Sequence, residues 1–264
     1  MNGVTLKRVP LKPVPLNPGR LTALGRAELT LLVRNRATLS VALAMPLLMV
    51  FLLRSSLGDS GRTASVGEAT LTGGIGMVLV LVVYLNLVSA YVARREELVL
   101  KRLRTGEAND LEILTGTALP AAVLALGQST VLAVAGAAVL DVAMPRNPLL
   151  LVAGVLAGIV VLAGMAALTS AFTRNVETAG LTSMPLFVVT AAGSGLFVPV
   201  DTLPDALASV CELLPLSGVM ALVRAGWSGG ADGTDLLVAG LGALAWTVIT
   251  VFAVQRWFRW EPRR

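Results

Sequence analysis

The sequence predicts an all-α polytopic membrane protein with six transmembrane helices, an N-terminal interfacial helix and a re-entrant outer hairpin before the last span. Three observations support this fold class. Hydrophobic residues make up 55% of the 264 residues, and charged residues only 14%, whereas about 25% of an average soluble domain is charged. Charged residues are absent from six long windows, and the basic residues concentrate on one side of those windows.

The six uncharged windows are the predicted transmembrane spans. Each contains 17 to 28 residues without Asp, Glu, Lys or Arg, and about 20 helical residues cross a hydrocarbon core of about 30 Å. An apolar helix in a soluble core would explain a single window, but six in one small chain would need a large partner fold to bury them. The predicted spans are residues 37–53, 69–93, 113–140, 147–173, 178–200 and 236–255.

The basic residues predict the orientation of these spans. An even number of spans places both termini on the same side of the membrane. On that assignment 17 of the 21 Lys and Arg residues lie on the side of the termini, and an excess of basic residues marks the cytoplasmic side. We therefore expect a multi-pass protein of a bacterial inner (cytoplasmic) membrane with both termini in the cytoplasm.

Two segments precede the first span. Residues 1–19 contain four prolines, which lack backbone donors and favour extended chain, so a flexible cytoplasmic tail is expected. Residues 20–264 then form one transmembrane domain. Within 20–36, leucines recur near helical spacing and charged residues occupy other positions, which predicts an amphipathic helix in the inner interface. The alternative is an ordinary basic stretch beside the membrane.

The loop from Arg94 to Glu112 is the most highly charged internal segment. Leu100 and Leu103 lie three residues apart in it, so a short helix would carry a small apolar ridge between charged residues. This spacing fits a protein-binding helix and a solvated basic loop equally well.

The outer segment before the last span contains an uncharged run of 11 residues, 213–223. Such a run is too short to cross the membrane, so a re-entrant or surface-lying helical hairpin is expected. We expect Pro204 and Asp205 to begin the first helix of this hairpin. Pro215 and Gly218 are expected to break the hairpin.

The composition excludes several kinds of chemistry. The chain has no His and a single Cys, so imidazole or Cys-rich metal sites and Ser-His or Cys-His nucleophiles cannot form. All three lysines follow leucine, whereas a phosphate-binding loop needs Gly-Lys. No span contains a carboxylate, which a proton- or sodium-driven carrier usually keeps at membrane depth. The sequence contains no basic patch interleaved with aromatic residues, so it does not indicate a nucleic-acid partner.

Polar and small residues inside the spans have two interpretations. They can form interhelical hydrogen bonds and close helix contacts, or they can line a translocation path. The glycines at 154 and 158 and those at 240 and 242 permit close helix approach. The candidates for a path are Asn86, Tyr91, Gln128 and Ser129.

Two sequence stretches resemble the type-2 ATP-binding-cassette permeases, the membrane subunits of bacterial exporters. Residues 94–105, RREELVLKRLRT, are similar to the coupling segment of that family, with a Glu-rich start, Leu-x-x-Leu-Arg and a threonine. Residues 194–204, 213–216 and 221–224 resemble its outer series of Gly-x-Phe-x-Pro, Leu-Pro, Leu-Pro-Leu and Leu-x-Arg. Gly106 follows Thr105 where many members have proline, so the end of the coupling helix is expected to differ. Loop size and composition are most similar to compact drug and natural-product exporter permeases.

The resemblance implies a permease that works with two kinds of partner. One is a cytoplasmic ABC ATPase, which would bind the ATP, so the chain itself would need no cofactor and no metal and would not be an enzyme. The other is a second permease copy, in a homodimer or a heterodimer within the lipid bilayer. The ATPase-coupling residues implied by the resemblance are Glu97, Leu100, Lys101, Arg102, Leu103, Arg104 and Glu107.

The resemblance implies export of a small amphipathic molecule, a drug or natural product, out of the cytoplasm. The 5% share of aromatic residues offers few platforms for sugar stacking, which agrees with such a substrate. Two alternatives are a non-transporting membrane scaffold or immunity protein and an intramembrane enzyme. Co-purification with an ATPase would separate the exporter from both.

Overall fold

The computed structural model describes residues 64–100, 109–140, 142–194, 204–258 and 260, together with individual positions between 19 and 52. These residues form α-helices, one π-helical segment and connecting turns, and the described part of the chain contains no strand. The fold class is therefore confirmed as all-helical.

The regular elements are α1 (Ala64–Val78), the π-helical segment π1 (Leu79–Leu85), α2 (Asn86–Glu96), α3 (Asp110–Leu140), α4 (Pro148–Phe172), α5 (Val176–Gly193), α6 (Asp205–Glu212), α7 (Ser217–Ser228) and α8 (Gly233–Trp257). The first three are continuous, so α1, π1 and α2 together make one long helix.

Four helices are long and apolar enough to cross a membrane. They are Val66–Glu96, Asp110–Val139, Pro148–Phe172 and Gly233–Trp257, and they coincide with the second, third, fourth and sixth predicted spans. The first predicted span, residues 37–53, lies largely outside the described residues. Of the fifth, 178–200, the structure describes α5, which has 18 residues and contains Glu177 and Pro185. A total of six spans remains a prediction.

Capping residues set several helix ends. The Asn147 side chain accepts a hydrogen bond from the Leu150 N–H at 3.1 Å, and Pro148 occupies the first turn of α4. Asn175 and Thr178 form a reciprocal capping box at the start of α5. Such side chains satisfy amides that have no partner within the helix, so α4 and α5 each begin at a sharply defined residue.

The segment before α8 contains two short helices, α6 and α7, joined by the turn 213–216. The first begins at Asp205, as expected, and the turn includes Pro215. The prediction that Gly218 breaks the hairpin is wrong, because this residue lies inside α7. A Cβ atom at Gly218 would lie 2.6 Å from the Ala239 carbonyl oxygen, so the glycine allows α7 to approach the backbone of α8.

The core of the bundle surrounds α4 and α7. Cβ atoms at Gly154 and Gly158 would come within about 3 Å of atoms of α7, so the predicted close approach at these two glycines is confirmed. At Gly226, a Cβ atom would lie 2.5 Å from the Leu151 backbone nitrogen. By contrast, nothing lies within 4 Å of such an atom at Gly240 or Gly242, so the close approach expected there does not occur within the described chain.

Candidate functional site

A tight turn and several buried hydrogen bonds lie where α2 ends and the charged loop begins. The Glu97 N–H donates to the Ala93 carbonyl at 2.9 Å, and the Leu98 N–H donates to the Arg95 carbonyl at 3.1 Å. Leu98 has a φ of 59°, a left-handed conformation that costs a non-glycine residue roughly 1–2 kcal/mol. The chain then re-enters helix at Val99 and Leu100. A tight turn therefore separates α2 from the segment that follows.

Arg95 connects this turn to the end of α4. Its side chain is only 1% exposed, and its two terminal nitrogens donate to the Ser170 carbonyl at 2.7 Å and the Thr173 carbonyl at 2.6 Å. These carbonyls belong to the C-terminal end of α4, where backbone oxygens lack intrahelical partners and the helix dipole is negative. The buried guanidinium is thus stabilised by charge-assisted hydrogen bonds, and the ends of α2 and α4 are held together.

The other side of the junction contacts α3. Arg94 Nη1 donates to Thr117 Oγ1 at 3.1 Å, and the Tyr91 hydroxyl donates to the Leu114 carbonyl at 3.0 Å. At the start of α3, the fully buried Glu112 accepts a hydrogen bond from the Asn109 N–H at 2.9 Å. Each end of the loop is therefore fixed to the helix bundle.

The structure describes two of the seven residues assigned to ATPase coupling. Glu97 is exposed in the turn after α2. Leu100 is 0% exposed, so its side chain packs inside the chain and does not form an exposed ridge. The remaining five lie outside the described residues: Lys101, Arg102, Leu103, Arg104 and Glu107.

The four residues considered for a translocation path do not line one cavity. Tyr91 borders a pocket between α3, α4 and α8, and the other three residues do not line it. Asn86 is exposed on the outside of the described bundle. Gln128 and Ser129 are buried on α3, at 5% and 7% exposure.

Other polar side chains inside the spans connect helices. The Tyr84 and Thr169 hydroxyl oxygens are 3.2 Å apart, and the Tyr84 hydroxyl is 3.4 Å from the Ser183 carbonyl oxygen. These contacts join π1, α4 and α5. They match the interhelical hydrogen bonding that the sequence had offered as one interpretation of such residues.

Arg95 was not among the residues that sequence reasoning assigned to the site. In the sequence it is one of several arginines at the cytoplasmic end of a predicted span, and those residues usually extend toward water. A weak signal exists, since residue 95 is four positions after Tyr91 and so shares its buried helical face. Its partners Ser170 and Thr173 are too distant in sequence for that pattern to reveal them.

The family of this chain follows from its match to a known family model. The family model for the ABC-2 type transporter matches residues 20–227. This chain belongs to the ABC-2 type transporter family. The match begins at residue 20, the first residue of the predicted interfacial helix, and continues through α6 and nearly all of α7. No curated protein matches the chain significantly. Family membership and four membrane-length apolar helices together identify a multi-pass membrane component of an ABC transporter.

Proposed function

We propose that this protein is the permease subunit of an ATP-driven exporter, moving a small amphipathic drug or natural product out of the cytoplasm. Family membership supports the transport role and the need for a separate ATPase. The observation that supports the coupling part of the proposal is Arg95, which joins the start of the charged loop to the end of α4.

In this proposal the segment 97–107 is the surface on which the ATPase acts. Closure of the ATPase dimer would displace the segment as a rigid unit. Because Arg95 holds α4 and Arg94 contacts α3, the displacement would tilt three helices together. Packed helix bundles respond to such shifts by moving between discrete arrangements, here inward-facing and outward-facing. Hydrolysis of ATP would reset them.

Leu103 is the apolar anchor for the ATPase in this arrangement. Leu100 is buried within the chain, so its contribution would be to fix the coupling segment against the bundle. Lys101, Arg102 and Arg104 would pair with acidic residues of the ATPase, and Glu97 and Glu107 would flank the contact.

A second permease copy would complete the translocation path. Asn86 directly follows π1 and lies within the membrane-length helix Val66–Glu96, yet its side chain is exposed. An amide facing hydrocarbon without a partner is unfavourable, and π-helical segments frequently occur at functional sites. We place the partner copy on the Asn86 face, while Tyr91, Gln128 and Ser129 would support the path from inside the bundle.

The coupling contact is tested with Leu103→Asp, which places a charge in an apolar contact. In proteoliposomes containing the permease and its ATPase, ATP hydrolysis should continue while ATP-dependent drug transport falls at least tenfold. The conservative Leu103→Met should keep transport close to wild type. Wild-type transport by Leu103→Asp would exclude Leu103 as the anchor, and equal loss in Leu103→Met would point to a general packing defect.

A further inference from the structure

The pocket beside Tyr91 has a volume of about 260 Å³ and is lined by α2, α3, α4 and α8. Most lining side chains are aliphatic, among them Leu119, Ile159, Ala163 and Val254. The lining residues of all four helices lie between the middle of the helix and the end that carries Glu96, Asp110, Phe172 or Trp257. These ends adjoin the charged loop, so the pocket lies in the cytoplasmic half of the proposed bilayer arrangement.

The two polar side chains of the pocket already have hydrogen-bond partners. The Tyr91 hydroxyl donates to the Leu114 carbonyl at 3.0 Å, and Thr115 Oγ1 donates to the Leu111 carbonyl at 2.6 Å. An occupant would therefore meet no hydrogen-bond donor without a partner. The pocket fits a hydrocarbon chain, which gains from burial and needs no polar contact.

A groove adjoins the pocket and differs from it in having two arginines among its lining residues. It is lined by Leu119, which also lines the pocket, and by residues of the predicted interfacial helix: Thr22, Gly25, Arg26, Thr30, Val33 and Arg34. A Cβ atom at Gly25 would lie 2.5 Å from Leu119 Cδ2, so the two segments are in close contact there. The pocket and the groove thus share one leucine, and Arg26 and Arg34 add two charges to a groove whose lining is otherwise mostly apolar.

The groove residues repeat at the spacing of one helical face. Arg26, Thr30 and Arg34 are four residues apart, so their side chains follow one another along the helix. Both arginines and both groove threonines are exposed. Basic residues on an amphipathic helix at the cytoplasmic interface attract anionic lipid headgroups. The Thr22 and Thr30 hydroxyls already donate to the Gly19 and Arg26 carbonyls, so the two arginines are the donors that the groove offers to a phosphate.

We propose that an anionic phospholipid of the inner leaflet binds here, with an acyl chain in the pocket and its phosphate at the Arg26–Arg34 face. Arg26 and Arg34 would select the headgroup, and the apolar lining of the pocket would select the chain. The site is separate from the Asn86 face, so it would fix the interfacial helix against α3 without blocking the proposed path. The lipid's contacts with Leu119 would connect the helix to the bundle.

The test measures lipid binding to the purified full-length chain in detergent. Phosphatidylglycerol should bind more tightly than phosphatidylcholine. Arg26→Gln combined with Arg34→Gln should weaken phosphatidylglycerol binding about 30-fold, because each arginine near an anionic surface contributes about 1 kcal/mol. Arg174→Gln combined with Arg256→Gln removes the same charge from exposed residues outside the groove and should leave the preference unchanged. Equal binding by the two double variants would overturn the proposal.

Two further arms test the acyl chain. Ala163→Leu should fill the pocket and weaken phosphatidylglycerol binding, while the thermal unfolding midpoint stays unchanged. If the leucine variant leaves space in the pocket, Ala163→Phe should fill it with the same result. Glycerophosphoglycerol, the same headgroup without acyl chains, should bind at least 100-fold more weakly than the lipid. If neither filling variant changed lipid binding, or if the chain-free headgroup bound as tightly as the lipid, the pocket would not hold an acyl chain and the proposal would fail.

Discussion

At the scale of single residues, Arg95 shows how the bundle accommodates a charge. An isolated guanidinium in an apolar core would be very unfavourable, but Arg95 donates to two carbonyls at the negative end of α4. The same two bonds fix the start of the charged loop. One side chain therefore joins the ends of α2 and α4, and in the proposed mechanism it also transmits the movement of the loop.

Replacing Arg95 with methionine tests this role. Arg95→Met retains a long apolar side chain but removes both hydrogen bonds, and hydrogen bonds to a charged group contribute about 1.5–3 kcal/mol each. We expect a loss of about 3 kcal/mol, seen as a lower thermal unfolding midpoint in detergent, together with reduced coupling. Arg174→Met changes an exposed arginine next to Thr173, one of the residues that Arg95 contacts, and should have little effect. Equal midpoints for the two variants would contradict the assignment.

Residue roles were only partly predictable from the sequence. The polar residues of the spans were correctly expected to include interhelical hydrogen-bonding groups, as Tyr84 shows. Arg95 could not be distinguished from its neighbours, because its partners lie 75 and 78 positions away. The burial of Leu100 was equally hidden, since a leucine in a charged segment can face either a partner or its own bundle.

At the scale of elements, α7 is a short helix that packs closely between α4 and α8 because glycines occupy its contact positions. Gly218 approaches the Ala239 carbonyl, and Gly226 approaches the Leu151 backbone nitrogen. Backbone atoms cannot rotate away as a flexible side chain can. These contacts let the 12-residue α7 pack tightly in the core of the described bundle.

Alanine substitutions in two helices test this packing. Gly218→Ala should destabilise the protein by about 1–2 kcal/mol, because overpacking outweighs the better helix propensity of alanine. Gly240→Ala, where a Cβ atom meets nothing within 4 Å, should be neutral or stabilising by up to about 1 kcal/mol. Thermal unfolding of both variants provides the comparison. A Gly218→Ala protein as stable as Gly240→Ala would show that α7 is not tightly packed against α8.

Elements were predicted better than their contacts. Runs without charge located the four described membrane-length helices, since hydrocarbon excludes charged side chains over a fixed length. The π-helical segment before Asn86 was not predicted, because a local change in hydrogen-bond register leaves no charge or hydropathy signal. Gly218 was misread as a helix break because a glycine that permits close packing looks the same in sequence as one that ends a helix.

At the scale of the whole molecule, the proposed orientation places the α2–α3 loop in the cytoplasm and the α7–α8 loop outside. The structure provides matched reporters, since Ala231 and Arg174 are both exposed and lie next to opposite ends of long helices. The single native thiol, Cys211, must first be replaced by serine so that only the introduced thiols react.

Labelling with a membrane-impermeant maleimide then reads the orientation. In the Cys211→Ser background, Ala231→Cys should react in intact cells, and Arg174→Cys should react only after the membrane is permeabilised. This result follows from the excess of basic residues on the cytoplasmic side. The reverse labelling pattern would invert the orientation and remove the coupling loop from the reach of a cytoplasmic ATPase.

The central claim is that this family member transports only when a separate subunit supplies the energy. The most direct measurement compares ATP hydrolysis and uptake of an amphipathic drug in proteoliposomes containing the permease alone, the ATPase alone, or both. We expect ATP-dependent transport only when both are present, and no nucleotide hydrolysis by the permease alone. Equal drug transport without the ATPase, or ATP turnover by the isolated permease, would contradict the claim.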